Sequence, residues 1–314
     1  MKKKAVCALG ILIIIVLAAV AGVSLYMLDF SLRPEANGKD MDSTVKRMRE
    51  DYPQIIPWMD SLTAGGALLD TFILAKDGTQ LHAFYTHASR PTRRTAVLVH
   101  GYGDNSVSMF HIGYLYNRCM DCNILLPDLR NAGLSGGDAI QMGWLDRKDV
   151  MEWIDAAPSL FGDSLSVVVH GISMGAATTM MLSGEPLPDY VKCFVEDCGY
   201  TSVWDQFSKM LKELFGLPEF PLMYTASWIC GIQNGWTFSE ASSVSQVSRC
   251  QKPMLFIHGD KDTYVPTWMV YKVYEAKPDN KELWVVPGAA HAVSYKNCPD
   301  EYTRKVREFV SKHI

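Results

Sequence analysis

One serine lies in a local pattern that indicates nucleophilic chemistry. The segment Gly171-Ile172-Ser173-Met174-Gly175 matches G-x-S-x-G, which places a serine on a sharp turn between a strand and a helix. The flanking positions must be small so that the strand and the helix can approach each other. A β-branched apolar run precedes the motif, and a run of small residues follows it. The sequence therefore predicts a strand–turn–helix unit with Ser173 as the nucleophile.

A serine nucleophile requires a base, and His291 is the candidate. It lies in a loop of small residues after the last β-rich apolar run of the chain. Such a loop allows the imidazole to reach across to Ser173. Three further histidines, His100, His170 and His258, stand beside glycine at the ends of predicted strands. We expect these three to support loops by hydrogen bonding.

The acid that orients the histidine is expected between the serine and the histidine in chain order. The segment 258–266 supplies two aspartates, Asp260 and Asp262. Asp262 is the preferred candidate, and Asp260 is expected to brace the turn. Asp197, at the end of another predicted strand, is an outside candidate. A carboxylate bonded to the imidazole fixes its tautomer and stabilises the imidazolium.

Two backbone amides are candidates for binding an oxyanion. The helix predicted after Ser173 directs its first free N–H groups toward the serine, and such groups favour negative charge. Met174 supplies the first of these donors. The second is expected from the loop after an earlier strand, which here is the glycine-containing segment 100–105. We expect the N–H of Tyr102 to be that donor.

The elements that must position these residues follow an alternating pattern. A hairpin around Asp77-Gly78 is followed by short apolar runs that alternate with helical segments. This alternation predicts a mostly parallel, twisted sheet flanked by helices on both faces. It breaks between about 200 and 248, in a segment rich in aromatic residues and methionine. That segment is predicted to form a small helical cap over a pocket; a helical pair packed on the sheet is the alternative.

The N-terminus indicates export. Lys2, Lys3 and Lys4 precede 24 residues without a charge, from Ala5 to Leu28. This length suits a membrane-spanning anchor, whereas Ala19-Val20-Ala21 resembles a signal-peptide cleavage site. The anchor is favoured because the apolar run exceeds a usual signal sequence. Either interpretation places the rest of the chain outside the cytoplasm, membrane-anchored or secreted. The predicted segments are 1–29 as anchor or signal peptide, 30–67 as a polar stalk or N-terminal extension, and 68–314 as the enzyme domain with its cap at about 200–248.

Composition excludes some partners. The net charge is −4, and the lysines and arginines form no cluster beyond the first four residues, so a nucleic-acid partner is not expected. Among eight cysteines, Cys119 and Cys122 have C-x-x-C spacing without a second pair. We expect the cysteines to serve mainly in packing, with disulfides as the alternative. No metal and no cofactor is expected.

The motifs taken in order resemble those of the α/β-hydrolase superfamily. They are HGYGDN, DLRNAGLSGG, HGISMG, HGDKDTYVP and GAAHA, within residues 68–312. The set is most similar to the serine aminopeptidase and monoglyceride-lipase-like branch, which includes exported or membrane-tethered bacterial members. The resemblance implies the α/β-hydrolase fold, with the acid on Asp262 and the base on His291. One loop departs from the family pattern by carrying Asn131-Ala132 in place of Gly-His.

The residues and the resemblance together imply a serine hydrolase that works through an acyl-enzyme intermediate. The apolar insertion favours a carboxylic ester or a lipid ester as substrate. Three alternatives remain open. A serine aminopeptidase would need a carboxylate near the cap to hold a free amine, and Glu219 and Glu240 are the candidates. An acyltransferase would use the same residues, and a catalytically silent anchored binding protein would retain them without activity.

Overall fold

A central sheet organises the chain. The computed structural model of the protein describes residues 2–34 and 38–314. Within those ranges, eight strands form one sheet in the order β1-β2-β4-β3-β5-β6-β7-β8. β1 pairs with β2, and β2 with β4, in the antiparallel direction, while all other pairs are parallel. The strands are β1 Leu69–Leu74, β2 Gln80–Thr86, β3 Arg94–Val99, β4 Asn123–Pro127, β5 Ser166–Ile172, β6 Val191–Asp197, β7 Met254–Gly259 and β8 Lys281–Val286.

The apolar composition of the central strands explains their position. Every residue of β4 and β7 is buried, as expected when helices cover both faces of a parallel sheet. The edge strands β1 and β8 alternate between more and less exposed residues. The mostly parallel, helix-flanked sheet predicted from the sequence is therefore confirmed.

Twelve α-helices surround the sheet within the described ranges. They are α1 Lys2–Leu32, α2 Met41–Asp51, α3 Ile56–Ala64, α4 Phe110–Tyr114, α5 Asp146–Phe161, α6 Met174–Ser183, α7 Val203–Phe215, α8 Leu222–Asn234, α9 Ser243–Val247, α10 Trp268–Ala276, α11 Ser294–Asn297 and α12 Pro299–Val310. The helical segment over 106–119 consists of a 3₁₀ turn, the short α4 and a π-helical turn in succession.

Three helices, α7, α8 and α9, are inserted between β6 and β7. α7 and α8 contact each other and form the cap, whereas α9 packs against α6 and α10. α7 begins where the side chain of Ser202 accepts a hydrogen bond from the amide of Asp205, an N-cap that satisfies one free donor of the first turn. It ends at Gly216, whose φ of 65° is left-handed, a conformation that glycine adopts without strain. The inner face of α7 buries Phe207 and Leu211. The predicted helical insertion is thus present.

The segment between α1 and the sheet packs against the domain, in contrast to the predicted stalk. Met48 of α2 and Trp58 of α3 are buried together with Ile55. The ring of Trp58 contacts Phe110 edge-on, with centroids 6.1 Å apart. Residues 35–37 of the predicted stalk lie outside the described residues. In this segment the apolar side chains are scattered among many charged ones. Its overall polarity therefore predicted an exposed stalk, although one face of α2 and α3 is buried.

The N-terminal helix α1 has two different parts. It is the one helix in the described chain that is long and apolar enough to cross a membrane, and no residue of its most apolar stretch is buried. Its last turns are buried instead at Ser24, Leu28 and Leu32. The Ser24 hydroxyl donates to the carbonyl of Leu222 in α8 (3.3 Å), and the amide of Ile140 donates to the carbonyl of Leu32 (2.8 Å). The helix therefore joins an exposed apolar segment to the cap.

The cysteines lie apart from one another. All eight are in the described part of the chain, and none forms a disulfide. Cys122 and Cys193 are completely buried among the apolar residues behind the sheet. Their environment agrees with the expected packing role.

Candidate active site

Ser173 occupies the turn between β5 and α6. Its backbone has φ 58° and ψ −119°, a conformation that costs free energy in a residue other than glycine. A Cβ atom at Gly171 would lie 2.0 Å from the carbonyl oxygen of Gly175, and one at Gly175 would lie 2.0 Å from that of Val99. Both glycines are therefore required by the close approach of strand and helix, and this packing holds the serine in its strained turn.

A chain of hydrogen bonds links the three residues predicted to act together. The Oγ atom of Ser173 lies 2.8 Å from Nε2 of His291, and Nδ1 of His291 lies 2.7 Å from Oδ2 of Asp262. Because a carboxylate only accepts hydrogen bonds, Nδ1 carries a proton and donates it to Asp262. Nε2 is then free to accept the proton of the serine hydroxyl. The aromatic ring of Tyr264 packs against the imidazole, with centroids 4.9 Å apart.

The surroundings of Asp262 keep it ionised. Its side chain is fully buried, and its Oδ1 accepts hydrogen bonds from the amides of Tyr264 and Val265, both at 2.9 Å. Burial opposes ionisation, but the hydrogen bonds of His258 and His291 and the amide bonds outweigh it and lower the pKa of Asp262 to about 2. The carboxylate is thus charged at neutral pH and able to stabilise an imidazolium.

The two other aspartates considered from the sequence have different positions. Asp260 is exposed, and its Oδ1 accepts the amide of Gly288 at 2.6 Å, so it braces the loop before His291. Asp197 is buried and accepts the hydroxyl groups of Tyr302 (3.0 Å) and Ser294 (3.3 Å). Burial raises the pKa of Asp197 to about 6. Of the three aspartates, Asp262 is the one that accepts the Nδ1–H hydrogen bond of His291.

His258 was expected to support a loop by hydrogen bonding, and it also contacts the carboxylate of Asp262. Its Nε2 lies 2.8 Å from the carbonyl of Val265 and 3.4 Å from Oδ2 of Asp262. Burial opposes protonation, but Asp262 and the nearby Glu196 outweigh it and raise the pKa of His258. The spacing of four residues between His258 and Asp262 was the available signal in the sequence.

Both predicted oxyanion donors lie beside the serine. Tyr102 and Met174 line the same cavity as Ser173, which we call the serine cavity. Met174 is the first residue of α6, where backbone amides have no partner within the helix. The loop that carries Tyr102 is held by His100, whose Nδ1 lies 2.8 Å from the carbonyl of Gly101. The arrangement suits binding of a developing negative charge.

The serine cavity is mostly apolar. Besides the three residues just named, Phe207 and Met210 of α7 line it, so the cap forms one wall. Two residues of α1, Phe30 and Ser31, form another part of the wall, and the hydroxyl of Tyr102 donates to the Ser31 carbonyl (2.8 Å). This position of α1 was not predicted from the sequence, because hydropathy does not indicate where a long apolar helix ends against a domain.

A second opening reaches Ser173 from another side. This polar groove is lined by His291 and by four charged residues of α2, α11 and nearby loops. The four form two ion pairs, Arg47 with Asp104 (2.6 Å) and Lys296 with Asp51 (2.7 Å). Ser173 therefore lies where an apolar cavity meets a polar groove.

The loop after β4, in which Asn131-Ala132 departs from the family pattern, supports the fold. Asp128 is buried and accepts from Nδ1 of His82 (2.7 Å) and the amide of Ser106 (2.7 Å). Arg130 bonds both oxygens of Asp149 (2.5 and 2.8 Å). These contacts agree with the expected structural role of the loop.

Among the described residues, one cluster of potential metal ligands overlaps the site. Cys198, Asp262 and His291 have donor atoms within 4.8 Å of one another. Burial raises the pKa of the Cys198 thiol well above its ordinary value, whereas a metal binds the thiolate. Asp262 and His291 also bond to each other. The cluster therefore fits a hydrogen-bonded catalytic group better than a metal site.

Comparison with known proteins identifies relatives of the same architecture. The model of the prolyl oligopeptidase family, Peptidase_S9, matches residues 139–314. The uncharacterized protein YqkD of Bacillus subtilis is 27% identical over 226 residues, which cover 72% of this chain and 74% of that protein. The α/β-hydrolase domain-containing protein WAV2 of Arabidopsis thaliana is 21% identical over 78% of this chain and 79% of its own length.

Solved structures show the same fold. The esterase Pf2001 of Pyrococcus furiosus superposes with a TM-score of 0.64 and 23% identity, covering 78% of this chain and 92% of that one. A hydrolase GrgF from Penicillium gives a TM-score of 0.61 at 14% identity, over 78% of this chain and 98% of that one. At these identities the likeness concerns the fold, and it confirms the predicted α/β-hydrolase architecture.

Proposed function

Because the chain belongs to the prolyl oligopeptidase family and is a hydrolase of the α/β-hydrolase fold, we propose that it is a serine hydrolase with Ser173, His291 and Asp262 as its catalytic triad. The observation that carries the proposal is the continuous hydrogen-bonded chain from the serine hydroxyl to the buried carboxylate. The strained backbone of Ser173 supports it, since strain is maintained at functional sites.

The mechanism follows from the donors and acceptors. Nε2 of His291 takes the proton of Ser173 as its Oγ attacks an acyl carbonyl, and Asp262 stabilises the imidazolium. The amides of Met174 and Tyr102 bind the oxyanion of the tetrahedral intermediate. The imidazolium then protonates the leaving group, leaving an acyl-enzyme. Water, activated by His291, releases the acyl group and regenerates the serine.

The preferred substrate is an ester with an apolar acyl group. Phe207 and Met210 lie along the serine cavity, and apolar walls favour an apolar ligand because burial of each methylene contributes about 0.8 kcal/mol. The ester's polar part would occupy the groove on the side of His291. A carboxylic or lipid ester has this division of character.

A peptidase is the second candidate, because the matching family is named for its oligopeptidases. An aminopeptidase would need a carboxylate in the cavity to hold the free amine. The two glutamates considered from the sequence do not meet this need: Glu219 is exposed, and Glu240 accepts hydrogen bonds from Thr237. No carboxylate is among the described residues that line the serine cavity. The two carboxylates of the groove beside His291 are already paired, Asp104 with Arg47 and Asp51 with Lys296. These observations favour the ester over the peptide.

We also propose that α1 remains attached as a membrane anchor, with the enzyme domain outside the cytoplasm. The lysines before the span favour retention of the N-terminus in the cytoplasm. The last turns of α1 are buried against the domain at Ser24, Leu28 and Leu32. The end of the helix is therefore part of the folded enzyme, while its earlier part spans the membrane.

A fluorophosphonate probe tests the proposed function in the full chain held in detergent micelles. The wild type should be labelled and should hydrolyse p-nitrophenyl butyrate. Ser173→Ala should abolish labelling and lower kcat on the order of 10⁶-fold. The matched control is Ser159→Ala, because Ser159 is exposed on α5 and bonds a carbonyl of its own helix (Ala156, 2.7 Å).

The outcomes separate the candidates. An esterase would be supported by two results together. Labelling is lost only in Ser173→Ala, and the wild type hydrolyses the ester faster than amino-acid p-nitroanilides. Faster hydrolysis of the anilides would support the peptidase. A wild type that is neither labelled nor active would overturn the proposal and favour a silent binding protein.

A further inference from the structure

A second apolar cavity adjoins the serine cavity. This helix–cap cavity lies between the last turns of α1 and the cap helices α7 and α8. Four residues line both cavities: Phe30, Ser31, Phe207 and Met210. Ser31 is the single polar residue among the described residues that line the helix–cap cavity. The two cavities together make an apolar path that leads away from Ser173 between α1 and the cap.

The outer end of this path is exposed and apolar. Leu214 and Phe215 line it and are 59% and 41% exposed, and Phe215 contacts Phe30 of α1 edge-on, with centroids 6.3 Å apart. α8 packs along α1, and an exposed stripe on it adds Tyr224, Trp228 and Ile232. A contiguous exposed apolar surface is typical of a contact site. Tyrosine and tryptophan are enriched where a protein meets the membrane interface.

The length of α1 places this surface at the bilayer. The helix has 31 residues and is therefore about 46 Å long at 1.5 Å per residue. The hydrocarbon layer is about 30 Å thick and takes about 20 residues. A span that begins after Lys4 therefore ends near Ser24, where burial against the cap begins. The helix–cap cavity is thus level with the membrane surface.

The opposite side of Ser173 is polar. The groove lined by the ion pairs Arg47–Asp104 and Lys296–Asp51 leads to the serine and to His291. A substrate that filled both sides would have an apolar chain on one side of its scissile carbonyl and a polar group on the other. Ester lipids have that structure.

From this geometry we infer that the end of α1 is part of the substrate site, and that the substrate is an ester lipid of the bilayer. Its acyl chain enters between α1 and the cap, and its headgroup lies in the polar groove. The inference rests on the proposed function and adds a substrate class and a route of entry. α1 then acts in substrate selection in addition to anchoring.

Two fluorogenic esters test the inference in the full chain, reconstituted in phosphatidylcholine vesicles. 4-Methylumbelliferyl palmitate reaches along the apolar path, whereas the butyrate ester fills only the part near Ser173. Leu214→Asp puts a charge into the helix–cap cavity and disfavours an acyl chain there. If two methylenes of the palmitoyl chain lose their contacts, the affinity falls about tenfold. The ratio of kcat/KM for palmitate to that for butyrate should therefore fall about tenfold or more.

A second variant and a control keep the result specific. Met210→Trp narrows the path by bulk instead of charge and should lower the same ratio. Leu74→Asp makes the same change as Leu214→Asp at a leucine of β1 that is also exposed (73% against 59%) and that lines neither cavity, and it should leave both rates unchanged. Labelling of Ser173 by fluorophosphonate reports that each variant is folded.

The outcomes distinguish this inference from the proposed function. A lower ratio in both cavity variants, with Leu74→Asp unchanged, supports the path. A ratio within twofold of the wild type in labelled, active Leu214→Asp and Met210→Trp overturns the path and leaves the serine hydrolase intact. A wild type that neither labels nor cleaves butyrate overturns the proposed function, and the inference with it.

Discussion

Replacement of Asp262 by asparagine should disable the site through the histidine tautomer. In the native site, Oδ1 of Asp262 accepts two backbone amides and Oδ2 accepts Nδ1–H of His291. Asparagine has one oxygen and one amide group, and the two backbone donors require the oxygen. The amide group would then face His291 and donate to Nδ1. The ring proton would move to Nε2, which could no longer accept the proton of Ser173.

The size of the effect follows from the chemistry and the burial. A wrong histidine tautomer of this kind lowers kcat by about 10⁴, which corresponds to about 5 kcal/mol of transition-state stabilisation. The stability change is smaller. Lowering the Asp262 pKa from 3.8 to about 2 stabilises the folded protein by about 2 kcal/mol. That contribution is complete above pH 4 and is lost as the pH falls from about 4 to 2.

The assay compares kcat for p-nitrophenyl butyrate and urea unfolding at several pH values in the wild type and Asp262→Asn. The variant should be less stable by about 2 kcal/mol at pH 7, and the difference should shrink toward pH 2. Asp260→Asn is the matched control, since Asp260 is exposed and its side chain, among the described residues, accepts only the loop amide of Gly288. It should keep kcat within a few-fold. Retention of more than a tenth of kcat in Asp262→Asn, or a larger loss in Asp260→Asn, would refute the assignment.

Two further predictions concern the turn that carries Ser173 and the buried carboxyl group of Glu196. Gly175→Ala should lower stability by about 3 kcal/mol and abolish fluorophosphonate labelling, because its Cβ would lie 2.0 Å from the Val99 carbonyl. The control Gly22→Ala lies inside α1 and its Cβ would meet no atom within 4 Å, so it should not lower Tm. Burial raises the pKa of Glu196 to about 8, so the folded state holds a proton that the unfolded state loses above about pH 4.5. Tm should therefore fall between pH 5 and 8, and less steeply in Glu196→Gln; an equal slope in the two proteins would contradict this origin.

The sequence by itself determined the elements whose signals are local. The β-branched run before Gly171 and the small residues after Gly175 indicate a strand, a sharp turn and a helix from local residue types alone. The order of Ser173, Asp262 and His291 along the chain was also sufficient to group them. Parallel strands end at the same edge of a sheet, so the loops that follow them meet there. For this reason the three side chains were expected together and lie within hydrogen-bonding distance.

Only the tertiary structure decided between neighbouring or distant alternatives. Asp260 and Asp262 are two residues apart in the same loop, and the direction of each side chain depends on the amides that Gly288 and Val265 present to it. The buried face of the helices over 41–64 depends on the surface that the sheet offers. The place of Phe30 beside the serine cavity is likewise a contact between segments more than a hundred residues apart. Hydropathy describes whether a residue prefers water or an apolar environment. It does not say which surface of the folded chain will pack against that residue.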